Sequence, residues 1–141
     1  MSETSDQTGG CRCGAVRFSA SSAPQLVSYC HCSDCRRATG APVSAFVGFR
    51  ADDVTIEGRP AHFENGTVER CFCAACGSPL SYTDARIPGC IYFLLGAMDA
   101  PENYVPTLHA YVCEQLPYLH IDDGLTRFER TSVPRPTEQR P

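Results

Sequence analysis

The sequence predicts an all-β domain with one or two short helices, stapled by cysteines that converge on metal. Three observations carry this. Short stretches alternate polar and apolar residues or are rich in β-branched and aromatic ones, with turn residues between them. The 11 glycines and 11 prolines are spread through the chain rather than gathered in a linker. A single segment, and a short one, reads as a helix.

In chain order, Val16 and Phe18 alternate with Ala15, Arg17 and Ser19, a half-buried strand. Residues 33–39 form the helical candidate, with Ser33 as its N-cap and Gly40 as its stop. VSAFVGF (43–49) is β-branched and aromatic. DVTIEG (53–58), AHFEN (61–65) and VERCFC (68–73) read as successive hairpin strands, the last two joined by Asn65-Gly66. IYFLL (91–95) is a continuous apolar run, hence a central strand or a short buried helix, and TLHAYV (107–112) is again strand-like. Residues 1–8 read as a disordered leader, 9–131 as one domain and 132–141 as a disordered tail.

Composition narrows the chemistry. All 12 basic residues of the 141 are arginine, so no lysine is available for a Schiff base, a P-loop or a tethered cofactor. The formal charge of −4 argues against a nucleic-acid module. The N-terminal MSETSDQTGG lacks the cationic start and apolar core of a secretory signal. The longest apolar run, CIYFLLGAM at 90–98, is well short of the roughly 20 residues of a membrane span. A cytoplasmic protein with reduced thiols and no membrane partner is therefore expected.

Ten cysteines then need a use other than disulfides. Seven fall in three clusters: Cys11-x-Cys13, Cys30-x-Cys32-x-x-Cys35 and Cys73-x-x-Cys76. Residues i and i+2 of a strand share a face, and C-x-x-C around a turn does the same, so each cluster can present sulfurs to one metal. Adding the two pairs, Cys11 and Cys13 with Cys73 and Cys76, completes a closed four-thiolate zinc site of structural type. Cys30, Cys32 and Cys35 remain. Three protein ligands with one open position is the pattern of a catalytic zinc, whose open position takes water or a substrate thiolate. Cys71 is either a variable strand residue or a fourth ligand that would close this second site. A redox role for Cys73-x-x-Cys76 lacks the βαβ context such a motif needs. Cys90 and Cys113 read as small buried apolar residues. His31 is either a general base near the substrate or a polar surface residue; His62, His109 and His120 read as satisfied or exposed. Arg36 and Arg37 either offset thiolate charge or guide a carboxylate, or lie on a solvated helix face.

GGCRCGAVRF (9–18), CHCSDCRRATG (30–40) and RCFCAACGSPL (70–80) resemble the three signature segments of the glutathione-dependent formaldehyde-activating enzymes, a family that also includes centromere protein V. GAMDAPENYVPTLHAYV (96–112) and PYLHIDDGLTRF (117–128) resemble its C-terminal pattern, with Tyr118 where the family often has tryptophan. The resemblance implies a complex, zinc-stapled β fold with two zinc ions per chain. The structural zinc maps onto Cys11, Cys13, Cys73 and Cys76, and the catalytic one, open to partial occupancy, onto Cys30, Cys32 and Cys35. It implies carbon–sulfur lyase chemistry on a small-molecule thiol and an aldehyde, with glutathione as one candidate substrate. The competing expectation is a non-catalytic zinc module that binds a protein partner, with both sites closed.

Overall fold

The computed structural model describes residues 6–133. Its strands are β1 (Gln7–Gly10), β2 (Arg17–Ala20), β3 (Leu26–Cys30), β4 (Ser44–Arg50), β5 (Val54–Glu57), β6 (Ala61–Asn65), β7 (Val68–Phe72), β8 (Pro79–Asp84), β9 (Cys90–Leu94), β10 (Leu108–Ala110) and β11 (Thr126–Arg127). One α-helix, α1 (Ser33–Thr39), and four short 3-10 turns complete it. The fold is mainly β, as the sequence predicts. No helix of the described residues is long and apolar enough to cross a membrane.

Two sheets form. The smaller has the order β1-β2-β5 and is antiparallel throughout. The larger has the order β11-β10-β3-β4-β9-β8-β7-β6. Its middle is antiparallel, while β10 runs parallel to both β3 and β11. The apolar run at 91–95 becomes the central strand β9, paired with β4 on one side and β8 on the other.

The period of two along β4 and β9 divides the interior. Val47, Phe49, Ile91 and Phe93 point into one core with Val16, Phe18, Ala20 and Leu80. There the ring of Phe18, from the small sheet, stacks on that of Phe93, with centroids 3.7 Å apart and planes 5° from parallel. The intervening residues Phe46 and Tyr92 point the other way, into a second cluster with Cys32, Cys35, Ala110 and Tyr111. A Cβ at Gly48 would sit 2.7 Å from Tyr92 Cε1, so glycine there makes room for the tyrosine ring.

Several boundaries differ from the sequence reading. β1 begins at Gln7, inside the segment read as a leader, because its backbone pairs with β2 from Gln7↔Ala20 to Gly10↔Arg17. Residues 1–5 of that leader and residues 134–141 of the tail lie outside the described residues. β5 makes no hairpin with β6; it closes the small sheet against β2, and only β6 and β7 form the hairpin around Asn65-Gly66. β3 and β8 carry polar residues at buried positions, Ser28 and Ser81, which broke the apolar pattern. β10 stops at Ala110 because Tyr111 turns left-handed, with φ of 58°.

Candidate functional site

The first cysteine group is built from two turns. Cys11 and Cys13 lie in the turn between β1 and β2; Cys73 and Cys76 lie in the turn between β7 and β8. Their four sulfurs lie within 4.8 Å of one another. Cys11 Sγ is 3.6 Å from Cys13 Sγ, and Cys13 Sγ is 3.8 Å from Cys73 Sγ. A tetrahedral thiolate site with metal–sulfur bonds of about 2.3 Å needs sulfurs roughly 3.8 Å apart, so the donor set fits a zinc-type ion. Backbone N–H groups of Val16 and Cys76 donate to the sulfurs of Cys11 and Cys73, at 3.3 and 3.4 Å. Hydrogen bonds from Ser78, side chain first and then backbone, draw the Cys76 thiol down to about 5. Cys76 is thus poised as a thiolate before any ion arrives.

The second group sits where β3 meets α1. Cys30 ends β3, Cys32 caps the helix and Cys35 lies in its first turn. Cys30 and Cys32 sulfurs are 3.5 Å apart, and all three lie within 4.8 Å. The cap differs from the sequence reading: the Cys32 sulfur, not Ser33, accepts the Cys35 N–H at 3.3 Å. A thiolate suits that position, because it meets the positive end of the helix. Hydrogen bonds from Cys30 and then Cys35 pull the Cys32 thiol down to about 2, while Cys30 is pushed well above its ordinary value. Gly40 stops the helix with φ of 78°, as the sequence predicts.

A cavity of about 360 Å³ opens on this trio. Phe46, Tyr82 and Tyr92 give it aromatic walls, and Arg70 and Arg86 lie on its lining. The sequence reading missed Arg70. Its guanidinium donates to Asp34 at 2.7 Å and reaches Cys35 Sγ at 3.6 Å, while stacking over the Tyr82 ring at 5.2 Å. Burial works against its charge, but the field of Cys35 and the Asp34 hydrogen bond offset this and raise its pKa. Strand alternation on β7 was the available signal: Arg70 faces the trio, while Cys71 and Cys73 are buried in the first core. Cys71 accordingly stays out of the trio, and among the described residues no fourth His, Cys, Asp or Glu ligand atom joins it.

His31 is neither a surface residue nor placed as a substrate base. Its side chain is fully buried, and its Nε2 lies 2.9 Å from His109 Nδ1. Burial, with His109 next, pushes its pKa down to about 4, so the ring is neutral. His109 Nε2 in turn lies 2.9 Å from Asp123 Oδ2. Arg36 neither faces solvent as a free cation nor guides a carboxylate; it donates to the carbonyls of His31 and Glu114, at 2.5 and 2.6 Å. Arg37 is exposed on the helix. His62 is exposed beside Glu69, and His120 is exposed. Cys113, read as buried, is exposed because it lies in a 3-10 turn beyond β10; Cys90 is half-buried on β9.

Comparison with known proteins places this arrangement. The profile of the family described as glutathione-dependent formaldehyde-activating enzyme matches residues 6–114. A Halomonas elongata protein named "Putative glutathione-dependent formaldehyde-activating enzyme" is 33% identical over 102 residues, a match spanning 65% of each chain. A Rhodobacter sphaeroides protein of known crystal structure superposes with a TM-score of 0.52 at 20% identity, over 86% of this chain and 98% of its own. That last likeness concerns the fold alone. With the family profile covering most of the chain and all seven clustered cysteines, the protein belongs to the glutathione-dependent formaldehyde-activating enzyme family.

Proposed function

We propose that this chain is a zinc-dependent carbon–sulfur lyase that makes and breaks the adduct of a thiol with an aldehyde, in the manner of S-hydroxymethylglutathione synthesis. The reading rests on one observation above the others: three cysteine sulfurs converge with no fourth ligand among the described residues, and they open on a cavity with a cation at its rim. Two zinc ions per chain are expected, one held by Cys11, Cys13, Cys73 and Cys76 and one by Cys30, Cys32 and Cys35.

When bound at the trio, zinc would supply positive charge that keeps an arriving thiol deprotonated. The residues of the chain do the rest. The aromatic walls exclude water from a bound adduct and present apolar surface to it. Arg70, held against Cys35, balances the negative charge that gathers when thiolates crowd together. In the forward direction the thiol gives up its proton, and its sulfur forms a bond to the carbonyl carbon. The C=O π pair moves to oxygen, which takes up a proton, leaving a hemithioacetal. The reverse sequence cleaves the C–S bond. His31 is fully buried and does not line the cavity, so it takes no direct part in either proton movement.

The test is the exchange rate between free and adduct formaldehyde in the presence of glutathione, followed by NMR with zinc-loaded protein. Acceleration that disappears in Cys32→Ser supports the lyase. Full zinc loading without acceleration for any of a panel of thiols and aldehydes defeats it, and leaves the non-catalytic zinc module standing.

A further inference from the structure

Three residues from separate motifs meet beside the trio without entering the reaction above. Asp123, His109 and His31 form an unbroken line of side chains, with nitrogen–oxygen and nitrogen–nitrogen distances of 2.9 Å. Both rings are fully buried, and Asp123 is the member that reaches solvent, its side chain 30% exposed. Asp123 lies beyond residue 114, where the family profile ends.

The donor and acceptor inventory fixes the order of hydrogens along this line. An ionised carboxylate only accepts, and the His109 hydrogen bond holds Asp123 below the usual carboxylate range. His109 Nε2 therefore carries the proton. With its Nε2–H given to Asp123, His109 offers Nδ1 as the acceptor at the 2.9 Å contact, and His31 Nε2–H is the donor there. His31 Nδ1 is left bare, and it has no hydrogen-bond partner. The other polar groups of His31 are also held. Its N–H donates to the Ala110 carbonyl at 3.0 Å, and its carbonyl accepts from Arg36. The residue between Cys30 and Cys32 is thus gripped at its ring and at both peptide groups.

We propose that Asp123 and His109 are positioning residues of the cysteine trio: by fixing the tautomer and orientation of His31, they hold Cys30 and Cys32 in the geometry that retains metal. The inference rests on the reading that the trio binds zinc. Outer groups that orient metal ligands typically contribute about 10- to 100-fold to metal affinity or activity, which sets the scale expected here.

The test uses the full, zinc-loaded chain and two readouts besides activity. Histidine nitrogen NMR reports the tautomer, and competition with a chelator reports release of each zinc. Asp123→Ala removes the acceptor. Asp123→Asn is nearly isosteric and keeps an oxygen for the Leu125 N–H that Asp123 Oδ1 now accepts, so it carries the test if the alanine variant fails to fold. Asp122→Ala is the neighbouring control. Expected are a bare His31 Nδ1 in the unaltered protein, its tautomer lost in the Asp123 variants, and release from the trio about tenfold faster or more. Zinc at the four-cysteine group should leave at its original rate. Unchanged release from the trio overturns the proposal. Parallel loosening of both zincs also overturns it, since Asp123 would then serve only general stability. If the unaltered protein takes up one zinc alone, the reading of the trio itself fails and the proposal falls with it. Two zincs with unaffected variants remove the proposal and leave that reading intact.

Discussion

Cys13 and Cys73 are sixty residues apart in sequence, and their sulfurs lie 3.8 Å apart. The turn that carries Cys13 belongs to the small sheet, and the turn that carries Cys73 ends a hairpin strand of the large one. A metal at this group ties the two sheets together at the edge of the core they share.

Cys73→Ser should therefore be a folding variant. Structural zinc supplies roughly 10–16 kcal/mol in small zinc peptides, and small domains have only about 5–15 kcal/mol of stability in all. Thermal unfolding should lose its cooperative transition. Cys32→Ser should behave in the opposite way. A serine oxygen is itself a good helix cap, so α1 keeps its start while the trio loses a thiolate. Circular dichroism should be unchanged, one zinc should be missing by elemental analysis, and activity should vanish. Equal melting of the two variants would contradict the division into one structural and one reactive group.

Arg70→Gln should lower kcat/KM by about 10- to 100-fold, as removal of a group hydrogen-bonded to a metal ligand typically does. Arg70→Lys should recover part of this, because it restores charge but not the fork that serves Asp34 and Cys35 together. Steady-state kinetics on the three proteins decide it. A glutamine variant with native kcat/KM would show that Arg70 only closes the cavity wall.

Asp84 offers a test by pH. It is 3% exposed, and although burial raises its pKa, hydrogen bonds from Arg86 outweigh this and hold it below the ordinary 3.8. A carboxyl lowered on folding contributes stability that is fully present above its unfolded value and lost as pH falls through the folded one. Urea unfolding followed downward from about pH 5 should steepen below about pH 4. Cys76, drawn down to about 5, and Cys32, drawn down to about 2, bracket the same range, so the informative quantity is the difference from Asp84→Asn. That difference should be largest at the upper end and shrink towards acid; a constant difference would assign the Asp84 effect to packing.

Gly48→Ala should cost about 1–3 kcal/mol, the usual penalty for an added methyl group in a filled interior. The new Cβ would lie 2.7 Å from the Tyr92 ring, which must then move toward the cavity. KM should rise with the loss of stability. Tyr92→Ala in the same chain should remove most of the added penalty, and a fully additive double mutant would mean that the ring and the glycine are not in conflict.

What the sequence showed was local. The cysteine spacings, the Gly40 stop and the Asn65-Gly66 hairpin each depend on a few neighbouring residues, and each appears in the structure where the sequence put it. What it hid depends on distant partners. Gln7–Gly10 has no apolar pattern of its own, and it is a strand because β2 pairs with it and Phe18 packs over Gly9. Ser28 and Ser81 face inward and disguise two central strands. Arg70, His109 and Asp123 have no motif spacing with the trio, since the contacts that give them meaning are made across strands and loops.

Arg70 and Cys73 stand three residues apart at the end of one strand, the first touching the trio and the second belonging to the four-sulfur group. Arg70 itself pairs with Phe63 on one side and Tyr82 on the other, so the sheet holds it in place. The spacing between the two cysteine groups is therefore set by paired backbone rather than by a loop, and any shift of the Cys73 turn would be carried to Arg70 through three residues of chain.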